Sequence, residues 1–508
     1  MTAVTTAPVA APTAAPTSAG RRAVLALARV EARHVLLHPL VLATLTAYLT
    51  FLLWPGSEPE DAYPVLQDID RETQLGQVML GLAVMIAVNL TVLRSHRHGT
   101  DGHFGVLVLQ SWQRTCAHVL SVLPTVLAGA LIVAGQFAAA ALRPGAVGHG
   151  SVFELLTGPL LVLLPAILGV LLGRVVRSAF AAPLAAVAFL ACVFVFVASS
   201  QTVAWLRGMA PVLFDEGARP LPSDLLGRPA GWHALYLLAL SVLAAAGAVL
   251  ASGGRARVVR ATALGALGAV VTAVVFQGMA PSDATREARE VATRDPAAVQ
   301  ECERRGMTTY CAFPEFTPWT DEWARVADKV RSLAGEPETG QALTVRQKVA
   351  ALDGPSGQAD LSPAVPGEIT ASTAWGGERE LEFAASVARG LVVGDEQYWG
   401  AYCDAQGVLM VWLAIRATGD GEVMFERTGD NFDSPGVIQA PADAVSLRGR
   451  EYAVVQRLLT EPQGEVERRV KASWAELSAP GTTTDRAAAL LGVTAPAETA
   501  DDREWKCA

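Results

Sequence analysis

The sequence predicts an all-α fold: a polytopic membrane helical bundle of about seven spans, followed by a mostly helical extracytoplasmic C-terminal domain. Three observations predict it. Of 508 residues, 51% are hydrophobic and only 18% charged, whereas ordinary soluble proteins carry about a quarter charged residues. Seven apolar stretches follow one another in residues 1–280. Charge also divides sharply: residues 1–280 hold 17 Lys+Arg and 12 Asp+Glu, net +5, and residues 281–508 hold 23 and 37, net −14. The total of −9 argues against a nucleic-acid partner, which calls for a basic face.

Residues 1–20 are Ala/Pro/Thr-rich and read as a disordered tail. They lack the basic start and apolar run of a signal peptide. Arg21-Arg22 is no twin-arginine signal, because Arg29, Glu31 and Arg33 charge the segment that follows. Residues 20–38 place Arg22, Arg29 and Arg33 near one helical face and Val24, Leu27 and Val35 nearer the other. That pattern reads as a helix lying along the membrane surface, with Pro39 marking the turn into the first span.

A crossing helix needs about 20 mostly apolar residues. The stretches 36–54, 76–93, 117–142, 156–173, 179–200, 233–252 and 261–279 qualify, and none has a charge in its central part. Polar residues within them are few: Asn89, Thr91, Gln136 and Ser241, which suit hydrogen bonds between helices. Twelve of the 17 basic residues flank alternate ends of these spans: Arg21, Arg22, Arg29 and Arg33; Arg94, Arg97 and Arg114; Arg174 and Arg177; Arg255, Arg257 and Arg260. The other loops carry five arginines and ten acids. The positive-inside rule then puts the N-terminus in the cytoplasm and residues 281–508 outside.

Four of the six cysteines, Cys302, Cys311, Cys403 and Cys507, lie in the C-terminal half. An even number in an outward-facing domain predicts two disulfides. Three connectivities exist; the short loop favours Cys302–Cys311, leaving Cys403–Cys507. A zinc site would need C-x-x-C spacing or histidines, and no His follows His233. Helices are expected at 317–333, 377–394, 450–462, 464–477 and 484–493, a loop at 353–376, and a small β element near 407–426. Phe313, Phe316, Trp319 and Trp323 read as core aromatics. With no His of its own, the outer half excludes His-based catalytic triads among its own residues. Its carboxylates, such as Asp395-Glu396 with Glu422 and Glu426, read as solvated surface.

The loop after the second span contains His96, His98 and His103 with one nearby acid, Asp101. It reads as cytoplasmic polar sequence rather than a metal site. Gly99-Thr100-Asp101-Gly102 reads as a turn, and Phe104 to Trp112 as a short helix at headgroup level.

Together these residues resemble the membrane (permease) subunit of a bacterial ABC transporter of the type-2 exporter class. In that family an arginine-rich amphipathic helix with an acid ends near a proline; here Arg29-x-Glu31-x-Arg33 and then His38-Pro39 stand in that position. After the second span the family shows a charged stretch, Gly-Thr, a short hydrophobic helix and a basic residue. Arg97-His98-Gly99-Thr100, Leu107–Leu109 and Gln113-Arg114 follow that order, with His98 where the family commonly has Glu. The resemblance covers roughly residues 20–255. It implies an interfacial helix of Arg29, Glu31, Arg33, His38 and Pro39, and an ATPase-coupling region of Arg97, His98, Gly99, Thr100, Asp101 and Arg114. It implies a paired or homodimeric permease with separate ATP-binding subunits. It does not account for a seventh span or an outer domain. The chain lacks a P-loop, since none of its four lysines follows a glycine, so ATP would be bound by the partner. No cofactor or catalytic residue of its own is expected. The competing reading is a membrane sensor or scaffold whose outer domain binds a ligand or protein.

The orientation is testable by thiol labelling of intact cells. Cys403 is expected to react with an impermeant reagent from outside only after reduction. Labelling solely from the cytoplasmic face would reverse the assigned sidedness.

Overall fold

The structure is a computed structural model that describes residues 18–54, 63–99, 109–198, 209–212, 219–335, 341–352, 361–362, 365–394, 401–429, 436–438, 441 and 444–499. Most of residues 1–20 lie outside that set, but Ser18, Ala19 and Gly20 already belong to the first helix, Ser18–Leu36. Thr100, Asp101, Asp395, Glu396 and Cys507 also lie outside it.

Five helices are long and apolar enough to cross a membrane: Leu66–Val92, Ser111–Ala141, Val152–Val175, Ala230–Ala251 and Arg257–Gln277. At 1.5 Å per residue even the shortest reaches about 31 Å, the depth of the hydrocarbon core. The expected first span, 36–54, is instead one arm of a bent pair. Residues Gly20–Leu36 and Pro39–Leu52 meet at 57°. The bend has a local cause. Proline at position 39 cannot continue the preceding hydrogen-bond ladder, and His38 adopts extended backbone and caps the new helix, its Nδ1 accepting from Leu40 N–H at 3.3 Å. The expected 179–200 span is the helix Ala181–Ala198, whose apolar part Ala181–Val195 falls short of a full crossing. Among the described residues, five helices, or six with the bent pair, are thus long and apolar enough to cross, beside the seven spans expected.

Packing places the ends of these helices. Residue 31 meets residue 94, Thr115 meets Ser252, and Gly254 lies against Trp112 at one end of the bundle. At the other end Arg71 meets Glu154, Trp232 stacks on Phe276, and Gly227 lies against Thr285. The twelve clustered basic residues occupy or adjoin the first end; residues 281–508 continue from the second.

At the bundle centre the 66–92 and 152–175 helices approach until backbone meets backbone. A Cβ on Gly81 would sit 2.3 Å from Leu161 O, and one on Gly169 would sit 2.4 Å from Met85 O. Glycine alone permits that approach, the usual means of joining helices where no hydrophobic drive between them exists. Buried Val84, Val88, Val162, Ile167 and Val170 fill the contact.

Residues 281–508 are mostly helical but not all-α. Four strands, β1 (Glu301–Arg305), β2 (Thr308–Ala312), β3 (Leu343–Gln347) and β4 (Glu368–Ala371), form a sheet in sequence order. The β1–β2 pair is an antiparallel hairpin turning at Gly306, whose φ is +59°. The β2–β3 and β3–β4 pairs are parallel, and the Thr320–Leu333 helix supplies the crossover that a parallel pair requires. A second sheet has the order β5 (Ala401–Tyr402), β7 (Val445–Leu447), β6 (Val437–Ile438). The β element expected near 407–426 is helical instead, in Ala405–Ala417 and Gly421–Gly429. The Ala405–Ala417 helix is the centre of this domain; Val408 through Ile415 are all buried. Around it pack Thr320–Leu333, Glu378–Val392, Gly449–Thr460 and Thr484–Leu491. These correspond to four of the expected helices, and Gln463–Ala472 with Trp474–Leu477 to the fifth. Phe313, Phe316, Trp319 and Trp323 are all buried, as core aromatics.

Cys302 and Cys311 face each other across the β1–β2 hairpin and are disulfide-bonded. Cys403 is also disulfide-bonded. Its carbonyl accepts from Arg448, which pairs with buried Glu451 at 2.7 Å. Replacing Cys302 and Cys311 by Ser is expected to cost about 2.5–3 kcal/mol from loop closure. Denaturation of the oxidised and substituted proteins checks this; equal midpoints would show that the hairpin holds without its bridge.

Candidate functional site

Two sites stand at opposite ends of the bundle. The first is the seat on which the C-terminal domain rests. The 66–92 helix starts ten residues before the apolar stretch that marks it in the sequence. Its first turns therefore carry Gln67, Asp70, Gln74 and Gln77 on one buried face, spaced three and four apart. Asp70 accepts from Ser151 N–H at 2.7 Å. Glu154, buried at the start of the 152–175 helix, takes Arg71 at 3.1 Å and Gln74 at 2.8 Å. Arg228 reaches Asp68 at 3.2 Å and Asp70 at 3.5 Å. These groups are paired inside the protein, the condition under which buried charge is tolerated.

The C-terminal domain binds directly to that platform. Val65, Val147, Leu221, Leu225 and Leu226, all from the membrane half, belong to the same hydrophobic core as Trp319, Trp323 and Trp375. Tyr63 N–H donates to Trp375 O at 2.7 Å, and Trp319 Nε1–H to Gly145 O at 2.8 Å. Gly145 has φ +74° and lies against the Tyr63 ring, so a side chain there meets both strain and a clash. Arg289, nearly buried, donates to Leu225 O and Leu226 O at 2.7 and 2.8 Å. Glu315 receives Gln67 Nε2 at 3.2 Å and Ser223 N–H at 3.0 Å.

The same carboxylate brings a serine, a histidine and an acid together. Ser223 Oγ lies 3.2 Å from His149 Nε2, and His149 Nδ1 lies 3.2 Å from Glu315 Oε1. The C-terminal domain has no His of its own, and the fold supplies His149 from the membrane half. One further contact sets the cluster apart from a catalytic triad. A triad holds hydroxyl and carboxylate on opposite sides of the imidazole. Here Ser223 Oγ also contacts Glu315 Oε1 directly, so the three side chains all touch one another. The cluster fastens three segments.

A further contact between the halves is charged. Arg219 of the membrane half donates to Pro441 O and acts electrostatically on Glu382. Glu382 is buried in the Glu378–Val392 helix and receives Arg379. Burial pushes its carboxyl up to about 7; Arg379 and Arg219 oppose that rise without cancelling it.

The second site is the basic end, where the resemblance places the ATPase-coupling and interfacial residues. The Ser18–Leu36 helix buries Ala28, Glu31, Ala32 and Val35 and exposes Arg29 and Arg33. It packs on the Ser111–Ser121 helix, which contains Arg114. Glu31 receives Arg94 at 2.8 Å. Arg97 ends the short Arg94–Arg97 helix, followed by His98 and by Gly99 at φ +65°. The structure thus brings Glu31, Arg97, His98, Gly99 and Arg114 to one end with His38 and Pro39, while Thr100 and Asp101 lie outside the described residues. Among the described residues no group of three His, Cys, Asp or Glu could hold a metal ion.

Polar residues within the apolar stretches divide in role. Asn89 reaches across to Gly169 O at 3.4 Å, and Gln136 accepts from Tyr48 O–H at 2.8 Å. Thr91 and Ser241 instead donate to carbonyls of their own helices. Glu422 pairs with Arg416 at the surface. The Gln67–Asp70–Gln74–Gln77 spacing was the one sequence signal for the seat, and counting apolar windows passes over it. The chain matches no protein-family model, no curated protein and no solved structure.

Glu382 sets a pH dependence. An acid whose folded pKa is raised holds its proton more tightly in the folded protein than in the unfolded one. Its stabilisation is fully present below about pH 4.5 and is lost as pH rises through about 7. Stability is expected to fall across that window by on the order of 3 kcal/mol, and Glu382→Gln to flatten the fall. Thermal melts at stepped pH check it; identical profiles for both proteins would remove Glu382 from the account.

Proposed function

We propose that this chain is the membrane permease subunit of an ATP-driven ABC exporter in the plasma membrane, with residues 281–508 outside. The observation that carries the reading is the assembly of the basic end. The amphipathic helix ending at His38-Pro39 and the segment running from Arg94 to Arg114 are far apart in sequence. They meet there through the Glu31–Arg94 ion pair and the packing of Ser18–Leu36 on Ser111–Ser121. Those segments contain the interfacial helix and the ATPase-coupling region that the resemblance implies. Excess Arg at that end fits a cytoplasmic location, and the basic end lies opposite the end that leads into the C-terminal domain.

The mechanism follows from rigid packing. An ATP-binding partner that closes against residues 94–121 would tilt the 66–92 helix. The glycine contacts at Gly81 and Gly169 oblige the 152–175 helix to move with it. Both helices begin at the outer seat, so the displacement reaches the C-terminal domain as a rigid-body motion. The permease contributes motion and passage, and the partner contributes ATP chemistry.

The seat favours a second reading, a membrane sensor or scaffold in which a ligand of the outer domain drives the same helices in reverse. The partner distinguishes the two. Co-expression with a candidate ABC ATP-binding protein is expected to give a stable complex whose ATPase rate depends on this chain. Substitution at Gly99 or Arg114 is expected to lower the stimulated rate by roughly 2–30-fold, the usual range of coupling energies. A purified chain that neither binds such a partner nor alters its ATPase rate would leave the sensor reading.

A further inference from the structure

The Ser18–Leu36 helix presents two unlike faces. Ala28, Glu31, Ala32 and Val35 are buried against the bundle, and Glu31, the helix's one acid, is turned inward and taken by Arg94. Arg22, Arg29 and Arg33 stand seven and four residues apart. They therefore form a row along the opposite face, about 17 Å from first to last. Arg21 adjoins the row. All four are exposed, and none has a hydrogen bond or an ion pair among the described residues. Exposed Leu25 lies on one flank of the row, and exposed Val30 and Leu37 lie on the other. The face thus carries uncancelled cations in its middle and aliphatic surface on both sides.

The next element places this face. The Pro39–Leu52 helix leaves Leu40, Leu42, Leu49 and Phe51 exposed, a surface suited to acyl chains, and the arginine-rich helix departs from it at 57°. At the far end of the bundle Phe51, Trp54, Phe153 and Trp232 are exposed, the aromatic belt of an opposite membrane boundary. The row therefore stands at headgroup level of the basic end. A guanidinium fork matches phosphate oxygens, and aliphatic flanks suit the boundary just beneath them. We infer that the face bearing Arg22, Arg29 and Arg33 is a docking surface for anionic phospholipid, whose charge holds this helix against the bilayer. Its other face carries the Glu31–Arg94 pair and packs on Ser111–Ser121, so lipid charge also steadies the 94–121 segment. An acidic groove of a partner protein is the competing occupant; continuity of the face with the exposed apolar arm after Pro39 favours the bilayer. The inference rests on the membrane placement of the bundle and stands apart from the exporter reading.

The test uses the full chain in three settings: phosphatidylcholine; phosphatidylcholine with phosphatidylglycerol; and phosphatidylcholine with a polyglutamate peptide in the buffer. Amide hydrogen exchange is read over the Ser18–Leu36 helix. Phosphatidylglycerol is expected to slow it on the order of a hundredfold, about fivefold for each of three engaged arginines. Salt at about 1 M is expected to remove the slowing. The variant Arg22→Gln, Arg29→Gln, Arg33→Gln is expected to exchange alike in both lipids. The control Arg255→Gln, Arg257→Gln, Arg260→Gln removes the same charge from exposed positions of the same end and is expected to keep the full effect. Where the triple variant already exchanges fast in phosphatidylcholine, its helix has come away, and Arg29→Gln alone is read; the slowing is then expected to shrink about fivefold. Equal exchange of the unaltered chain in both lipids would overturn the proposal. An equal loss in the control would reduce the effect to general surface charge and overturn it too. Slowing by polyglutamate without slowing by phosphatidylglycerol would assign the face to an acidic protein instead.

Discussion

The close crossing of the 66–92 and 152–175 helices is the constraint from which the other features follow. Gly81 against Leu161 O and Gly169 against Met85 O fix how far apart the two helices stand and how they are aligned lengthwise. That alignment brings Asp70 beside Ser151 and Arg71 beside Glu154 at one end. It also brings Asn89 beside Gly169 and Arg174 towards Arg94 and His118 near the other. Adding a methyl group at either glycine forces backbone against side chain, with no flexible group able to yield. Both polar ends are therefore positioned by an apolar centre that itself carries no chemistry.

The two ends use charge differently. At the seat, opposite charges are paired and largely buried: Arg228 with Asp68 and Asp70, Arg71 with Glu154. Such pairs specify a geometry more than they add stability, and breaking one member strands the other. At the basic end the charge is unbalanced, and much of it is exposed, as Arg29, Arg33 and Arg97 are. An unbalanced, accessible surface attracts what comes from outside the chain, whereas a balanced, buried one holds the chain to itself. The many surface pairs of the outer domain, such as Arg486 with Glu476, contribute little either way.

Properties read from local pattern were legible in the sequence. The long apolar helices, the Cys302–Cys311 bridge, the buried aromatics and the five outer helices all announce themselves within windows of a few turns. Properties that depend on partners far along the chain were not. The four-stranded sheet escaped notice because β1, reading Glu-Cys-Glu-Arg-Arg, is an exposed edge without apolar alternation, and β4 sits in a Gly/Pro-rich stretch. The helical segment at 407–426 mixes short apolar runs with glycines, where period alone does not separate strand from helix. At the candidate sites, the proline after His38 marked the bend correctly, but the length of the arm beyond it broke the expected span. Asp70, Glu154, His149 and Glu315 were invisible as a group, because each reads alone as a loop residue and only the fold joins them.

The shared core of the seat has a consequence for how the protein is made. Val65, Val147, Leu221, Leu225 and Leu226 are synthesised before the domain whose interior they complete. The C-terminal domain cannot close its own core around Trp319 and Trp375 until three loops of the helical bundle present those side chains. Folding of the C-terminal domain thus becomes a proofreading step for assembly of the helical bundle. A bundle threaded with the wrong number of crossings would leave a domain with a gap in its interior, open to proteolysis, and only a correctly threaded chain would escape degradation.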